Sequence, residues 1–123
     1  MIVVEIADQF KEALDEVEEF MLMQDAASAP HRADKLESEI VGLIDLFERH
    51  PKIGRPADFL SLTSPAAELW TRQVRQQAAS VGLTEFREYV LSPYVALYGC
   101  SHSHVVMLSI RHEREVGYGQ QDH

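Results

Sequence analysis

A chain of 123 residues with 46% apolar and 25% charged content has the make-up of one globular domain, residues 1–123, able to bury roughly two-thirds of its unfolded surface. Its apolar runs fall short of the ~20 residues a membrane span requires, and a single cysteine, Cys100, rules out an internal disulfide and fits a reducing cytoplasm. The net charge of −9 is unevenly spread: residues 1–49 carry 13 acids and 4 bases, residues 50–123 carry 7 of each, which speaks against a broad nucleic-acid-binding surface but leaves room for a small cationic site.

The start, "MIVVEI", has no basic segment or cleavage site, so export is not expected. Its β-branched residues 2–6 predict a first strand. Phe10, Leu14, Val17 and Met21 then recur at helical spacing among acids, which predicts an amphipathic helix capped by Asp8. After "QDAASAP", Pro30 suits a first helical position, and Leu36, Ile40, Leu43 and Phe47 repeat the spacing. The two helices form an antiparallel hairpin with a shared apolar seam.

"HPKIGRP" (50–56) stops the second helix and reads as a stiff turn. "PAAELWTRQVRQQAAS" from Pro65 predicts a third helix, with Leu69, Val74 and Trp70 marking its buried side and Gly82 ending it. Three strands follow, "EFREYVL" (85–91), "YVALYGC" (94–100) and "HVVMLSIRH" (104–112), separated by "SP" and "SHS". The order points to an α+β fold, with helices packed on a mainly antiparallel sheet that ends in a three-stranded meander.

Side-chain alternation along these strands separates two sets. If Arg87 opposes Tyr98, Tyr89 opposes Ala96, Tyr98 opposes Val105 and Ala96 opposes Met107, one face collects Arg87, Tyr89, Tyr98, Met107, Ser109 and Arg111. The other collects Val90, Val95, Leu97, Val106, Leu108 and Ile110, a dry surface for the helices. The polar set is then the face turned away from the helical layer.

"HPKIGRP", "REYVLSPYVALYGC" and "VVMLSIRHERE", in that order, resemble the RelE/ParE superfamily, the toxins of type II toxin–antitoxin (plasmid stabilisation) modules. The resemblance covers most of the chain. The interval of about 30 residues between Arg55-Pro56 and Arg87-Glu88 is longer than usual and marks a branch with an extra helix. The resemblance implies a β-α-α-β-β-β core and two alternative activities. One is metal-free messenger-RNA cleavage on the ribosome, in which the RNA's 2′-hydroxyl attacks the neighbouring phosphate. The other is inhibition of DNA gyrase without enzymatic activity. A third alternative is a non-toxic interaction domain on the same scaffold.

For cleavage, cationic donors must meet the phosphorane charge and other groups must move protons. By position, the resemblance puts Arg87 and Arg111 in the catalytic set, with His112 as proton shuttle. Tyr89, Tyr98, Arg114 and Arg55 are candidates for binding RNA or a target protein. Each also has an ordinary reading: Arg87 paired with Glu88 or Glu113, the tyrosines as cross-strand packing, Arg114 as a solvated end, and His112 bonded to backbone. Alternation further sets His112 on the face of Ile110, away from Arg111. "HSH" (102–104) lacks the carboxylate and thiolate ligands of a metal site beyond Cys100, so neither metal nor other cofactor is expected. Acidity, and the presence of only Lys52 as a lysine after residue 49, weigh against docking on ribosomal RNA. The expected partner is a cognate antitoxin, with ribosome and mRNA or gyrase as target. A second copy of the chain is an alternative partner for exposed apolar groups of the helical hairpin.

Overall fold

The computed structural model describes residues 2–57 and 65–114, without the side chains of residues 65–68, 70 and 71. Strand β1 (Val3–Ile6) pairs in parallel with β5 (His104–His112), Val4 opposite Val105 and Ile6 opposite Met107. The pairing runs on to Ala7, whose N–H donates to the Met107 carbonyl at 2.9 Å and whose own carbonyl accepts from Phe10 at 3.0 Å. Helix α1 (Asp8–Gln24) therefore starts where β1 ends, with Ala7 as its extended N-cap and no side-chain cap. Asp8 is a first-turn acid rather than the cap, because the strand pairing sets the boundary one residue earlier.

Asp25 then turns the chain. Its carboxylate accepts from the Ala27 N–H at 3.1 Å and the Ser28 hydroxyl at 3.0 Å. Helix α2 (Ala29–Arg49) follows with Ser28 as N-cap, which makes Pro30 its second residue rather than its first. The predicted seam is real: Phe10, Val17 and Met21 from α1 meet Leu36, Ile40, Leu43 and Phe47 from α2 in one buried cluster, with Leu14 packed on it. Beyond α2, the turn expected at "IGRP" holds a two-residue edge strand, β2 (Arg55–Pro56).

Helix α3 (Pro65–Ser80) buries Val74, as expected, together with Ala78, while Leu69 is 55% exposed and does not belong to the buried stripe. The expectation for Trp70 falls on a side chain outside those described. Gly82, at φ 75°, ends the helix. Leu83 N–H reaches Ala78 O at 2.9 Å and Gly82 N–H reaches Ala79 O at 3.2 Å, a paired C-terminal closure that requires a left-handed residue at position 82.

Strands β3 (Glu85–Leu91) and β4 (Tyr94–Cys100) complete the five-stranded mixed sheet in the order β1-β5-β4-β3-β2. The β3–β4 hairpin has the expected register, with Arg87 opposite Tyr98 and Tyr89 opposite Ala96. The β4–β5 hairpin does not. Tyr98 opposes Met107, Ala96 opposes Ile110, and an irregularity falls between Leu97 and Tyr98. Its turn centres one residue later than expected because the Ser101 hydroxyl accepts the His104 N–H at 3.1 Å, while Ser101 N–H donates to His104 O at 2.8 Å. Leu108 is the extra residue of a β-bulge, so Leu108 and Ser109 face the same way and every later residue changes sides.

The sheet is covered on both faces. The α1–α2 hairpin packs on Tyr94, Ala96, Tyr98, Cys100, Val105, Met107 and Ile110. Helix α3 contributes Val74 to the opposite cluster with Val95, Leu97, Val106 and Leu108. The expectation of a polar face turned away from the helices is therefore overturned: Tyr98 and Met107 lie under the helical hairpin. Ser109 and Arg111 lie on the other side, and Ile110 has left the expected dry set for the hairpin face. Among the described residues, no helix is long and apolar enough to cross a membrane.

Candidate functional site

Arg87 and Arg111, the expected cationic clamp, lie on opposite faces of the sheet. Arg87 shares the hairpin face with Tyr98, whereas Arg111 opposes Val95 on the α3 face. Two polar centres result, one on each side of the β3 edge.

On the hairpin face, Arg87 donates through Nε to Glu85 at 2.6 Å and through Nη1 to the Gly54 carbonyl at 2.6 Å. The Gly54 N–H donates to the Tyr98 hydroxyl at 2.9 Å. Lys52 meets the other Glu85 oxygen at 3.0 Å. These groups fasten the segment after α2 to the sheet edge, and strand alternation explains them, since residues 85 and 87 must share a face. The Lys52 hydrogen bond, followed by the one from Arg87, holds the Glu85 carboxyl below its ordinary range. Burial pushes the Tyr98 phenol up to about 12 despite the Gly54 hydrogen bond, and burial likewise raises the Cys100 thiol. Phe47 tilts against Tyr98 at a ring separation of 4.2 Å and meets Tyr89 edge-on at 6.3 Å. Both tyrosines therefore work in packing, and Tyr98 is fully buried.

On the α3 face, Glu88 is only 7% exposed and stands between two guanidinium groups. Arg55 Nε is 3.3 Å from one carboxylate oxygen and Arg111 Nη2 is 3.6 Å from the other. The pairing of Arg55 with Glu88 across β2 and β3 puts opposite charges side by side. Arg111 additionally donates to the His112 and Glu113 carbonyls at 3.1 and 3.2 Å. Glu88, expected as one partner for Arg87, instead bridges Arg55 and Arg111.

The end of β5 holds a third group. His112 is on the hairpin face, as alternation requires, and stands edge-on to Tyr94 at 5.6 Å. Its Nδ1 accepts the Arg114 N–H at 3.1 Å, which leaves the proton of the neutral ring on Nε2. The Arg114 side chain is exposed. In the "HSH" turn, His104 Nδ1 contacts the Ser103 hydroxyl at 3.2 Å, and among the described residues no group of three or more His, Cys, Asp or Glu is placed to hold a metal ion.

Phosphate recognition by two arginines needs their donors to converge on one anion. Here the sheet separates Arg87 from Arg111, and each already has an internal carboxylate within reach. His112 and Arg114 are together, but Arg87 is not with them. The sequence missed Lys52, Gly54 and Glu85 as organisers of these centres and assigned Glu88 to the wrong arginine. The signals available were the two-residue spacing of Glu85 and Arg87 and the opposite charges of Arg55 and Glu88. No protein-family model matches the chain, and no curated protein is similar to it.

Proposed function

We propose that this chain is the toxin of a type II toxin–antitoxin module, a cytoplasmic protein of the RelE/ParE kind, and that it acts by binding a protein target in the manner of gyrase inhibitors. Support for the family comes from the order of elements: a strand, a helical hairpin packed on the sheet, and a terminal meander. Helix α3 lies between β2 and β3, which suits a branch with an extra helix in that interval. The choice of a protein target over RNA cleavage rests on one observation: Arg87 and Arg111 are on opposite sheet faces, each engaged by an internal carboxylate. An acidic first half and exposed Phe20, Leu22, Met23 and Val41 on the helical hairpin suit a protein partner better than a polyanion. A cognate antitoxin would cover such a surface.

Induced expression in a growing bacterial culture tests the reading. Filamentation and DNA-damage signalling with intact transcripts is the expected result. Rapid loss of translation with cleaved transcripts would transfer the assignment to an mRNA endonuclease working through His112 and Arg114. Normal growth, with no antitoxin present, would leave a non-toxic interaction domain.

A further inference from the structure

Glu18 sits on α1 between Val17 and Met21, at the flank of the seam where α1 meets α2. Its Oε2 atom is shut off from solvent and finds no hydrogen-bond donor among the described residues while both carboxyls are ionised. The group it meets is the Glu37 carboxyl on α2, and Asp15 on α1 and Asp34 on α2 add their charges. The charged groups that act most strongly on Glu18 from both helices are thus acids. Two touching carboxyls form a hydrogen bond only if one of them keeps a proton, because ionised carboxylates are acceptors alone. We propose that the α1–α2 hairpin carries a proton-operated latch, in which Glu18 and Glu37 hold one proton between them and its loss loosens the packing of the two helices at their connected end.

The opposite end of the hairpin is fixed independently. Phe47 packs on Tyr98, and Gly54, just beyond α2, is held by Tyr98 and Arg87. Loosening at the Glu18–Glu37 contact therefore concerns the end that carries Asp25 and the exposed Phe20, Leu22 and Met23. That end contributes to the acidic and apolar surface a protein partner would meet, so the latch would link the shape of the surface to pH.

Burial first, and then the Glu37 hydrogen bond, raise Glu18 from 4.5 to about 7. A carboxyl raised on folding binds its proton more tightly in the native chain, so its contribution is complete below the unfolded value. It is lost as pH rises from about 4.5 through about 7. The latch is closed in mild acid and open in mild base.

The test uses the full chain, with thermal midpoints between pH 5.5 and 8 and carbon-detected titration of the glutamate carboxyls. In the wild type the midpoint is expected to fall by roughly 5 °C over that range. Glu18→Gln removes the charge while supplying an amide donor to Glu37, so it should raise the midpoint at pH 8 and abolish most of the fall. Glu12→Gln, the same charge change at an exposed site on α1, should keep the fall. The Glu18 carboxyl should titrate near pH 7 in the wild type. Titration of Glu18 near 4.5, or a Glu18→Gln profile that coincides with that of Glu12→Gln, overturns the proposal.

Discussion

Tyr98 and Gly54 meet at 2.9 Å, phenol oxygen to backbone nitrogen, and this contact fixes where the chain must go after the helical hairpin. A Cβ at position 54 would lie 2.3 Å from the Glu88 carbonyl oxygen and 2.8 Å from the Tyr98 hydroxyl. The first of these is backbone and cannot swing aside. Gly54→Ala is therefore expected to cost on the order of 3 kcal/mol, and Tyr98→Phe, which only strips the acceptor, about 1–2 kcal/mol. Urea unfolding of the two variants checks the order. Equal stability of Gly54→Ala and wild type would mean that the segment does not approach the sheet this closely.

Arg87 holds the same segment from its other side. Replacement by alanine removes the donors to both Glu85 and the Gly54 carbonyl, which predicts a loss of about 1.5–3 kcal/mol. Lysine can keep only one of these contacts and should fall between the two. This outcome differs from that of an arginine reserved for a bound phosphate, whose removal would leave folding intact. Any loss of toxicity in Arg87→Ala must accordingly be read against its denaturation midpoint, and an unchanged midpoint would restore Arg87 as a dedicated target contact.

Glu88 and Arg111 are expected to be energetically coupled. Both side chains are largely withdrawn from solvent, 9% and 14% exposed, while Arg55 on the other side of Glu88 is 58% exposed. Removing Glu88 leaves a guanidinium in a poorly hydrated place, a more costly defect than losing an exposed pair. A double-mutant cycle between Glu88→Gln and Arg111→Met should give a coupling of about 1–3 kcal/mol, and the cycle between Glu88→Gln and Arg55→Met under about 1 kcal/mol. The reverse ranking would show that Arg111 is held by the carbonyls of residues 112 and 113 and not by the carboxylate.

The meander was the most legible part of the sequence. Strands 85–91, 94–100 and 104–112 have the predicted limits, because each is a β-branched or aromatic run closed by Pro, Ser or His turn residues. The first hairpin register followed from its two-residue turn. The second could not be read, since a bulge at Leu108 has no compositional mark, yet it moves Ser109 and Arg111 to the other side of the sheet. Alternation also left open which face the helices take. Arg87 made one face look polar, but it stands at the sheet edge beside β2, and the rest of that face is apolar enough to seat the hairpin. The Glu18–Glu37 contact was hidden for a similar reason: Glu18 is one acid among many on α1, and only the packing of the two helices brings it to Glu37.

In acid, stability should respond to Glu85. Its carboxyl is held low by Lys52 first and Arg87 second, so its contribution is present above the unfolded value of 4.5 and disappears as pH falls through the lowered native one. The wild-type midpoint should drop below pH 4.5 with a slope that Glu85→Gln reduces, at the cost of a lower midpoint at neutral pH. A variant that keeps the full acid slope would place the responsible carboxylate elsewhere.

At the alkaline end the responsive group is Tyr98. Burial raises its phenol from 10.0 to about 12, so the folded chain keeps the proton where the unfolded chain releases it. The sign is the same as for any raised acid: the contribution is complete below pH 10 and is lost as pH climbs from 10 to about 12. Of the four tyrosines, Tyr98 should therefore be the last to ionise in a titration followed by phenolate absorbance. Its ionisation should coincide with unfolding, because a phenolate at this position still accepts the Gly54 N–H but is cut off from water by burial, the larger of the two effects. Tyr98→Phe should delete that late phase and leave the earlier ones in place. If instead the late phase survives the substitution, it does not belong to Tyr98, and the bond to Gly54 is not what seals position 98.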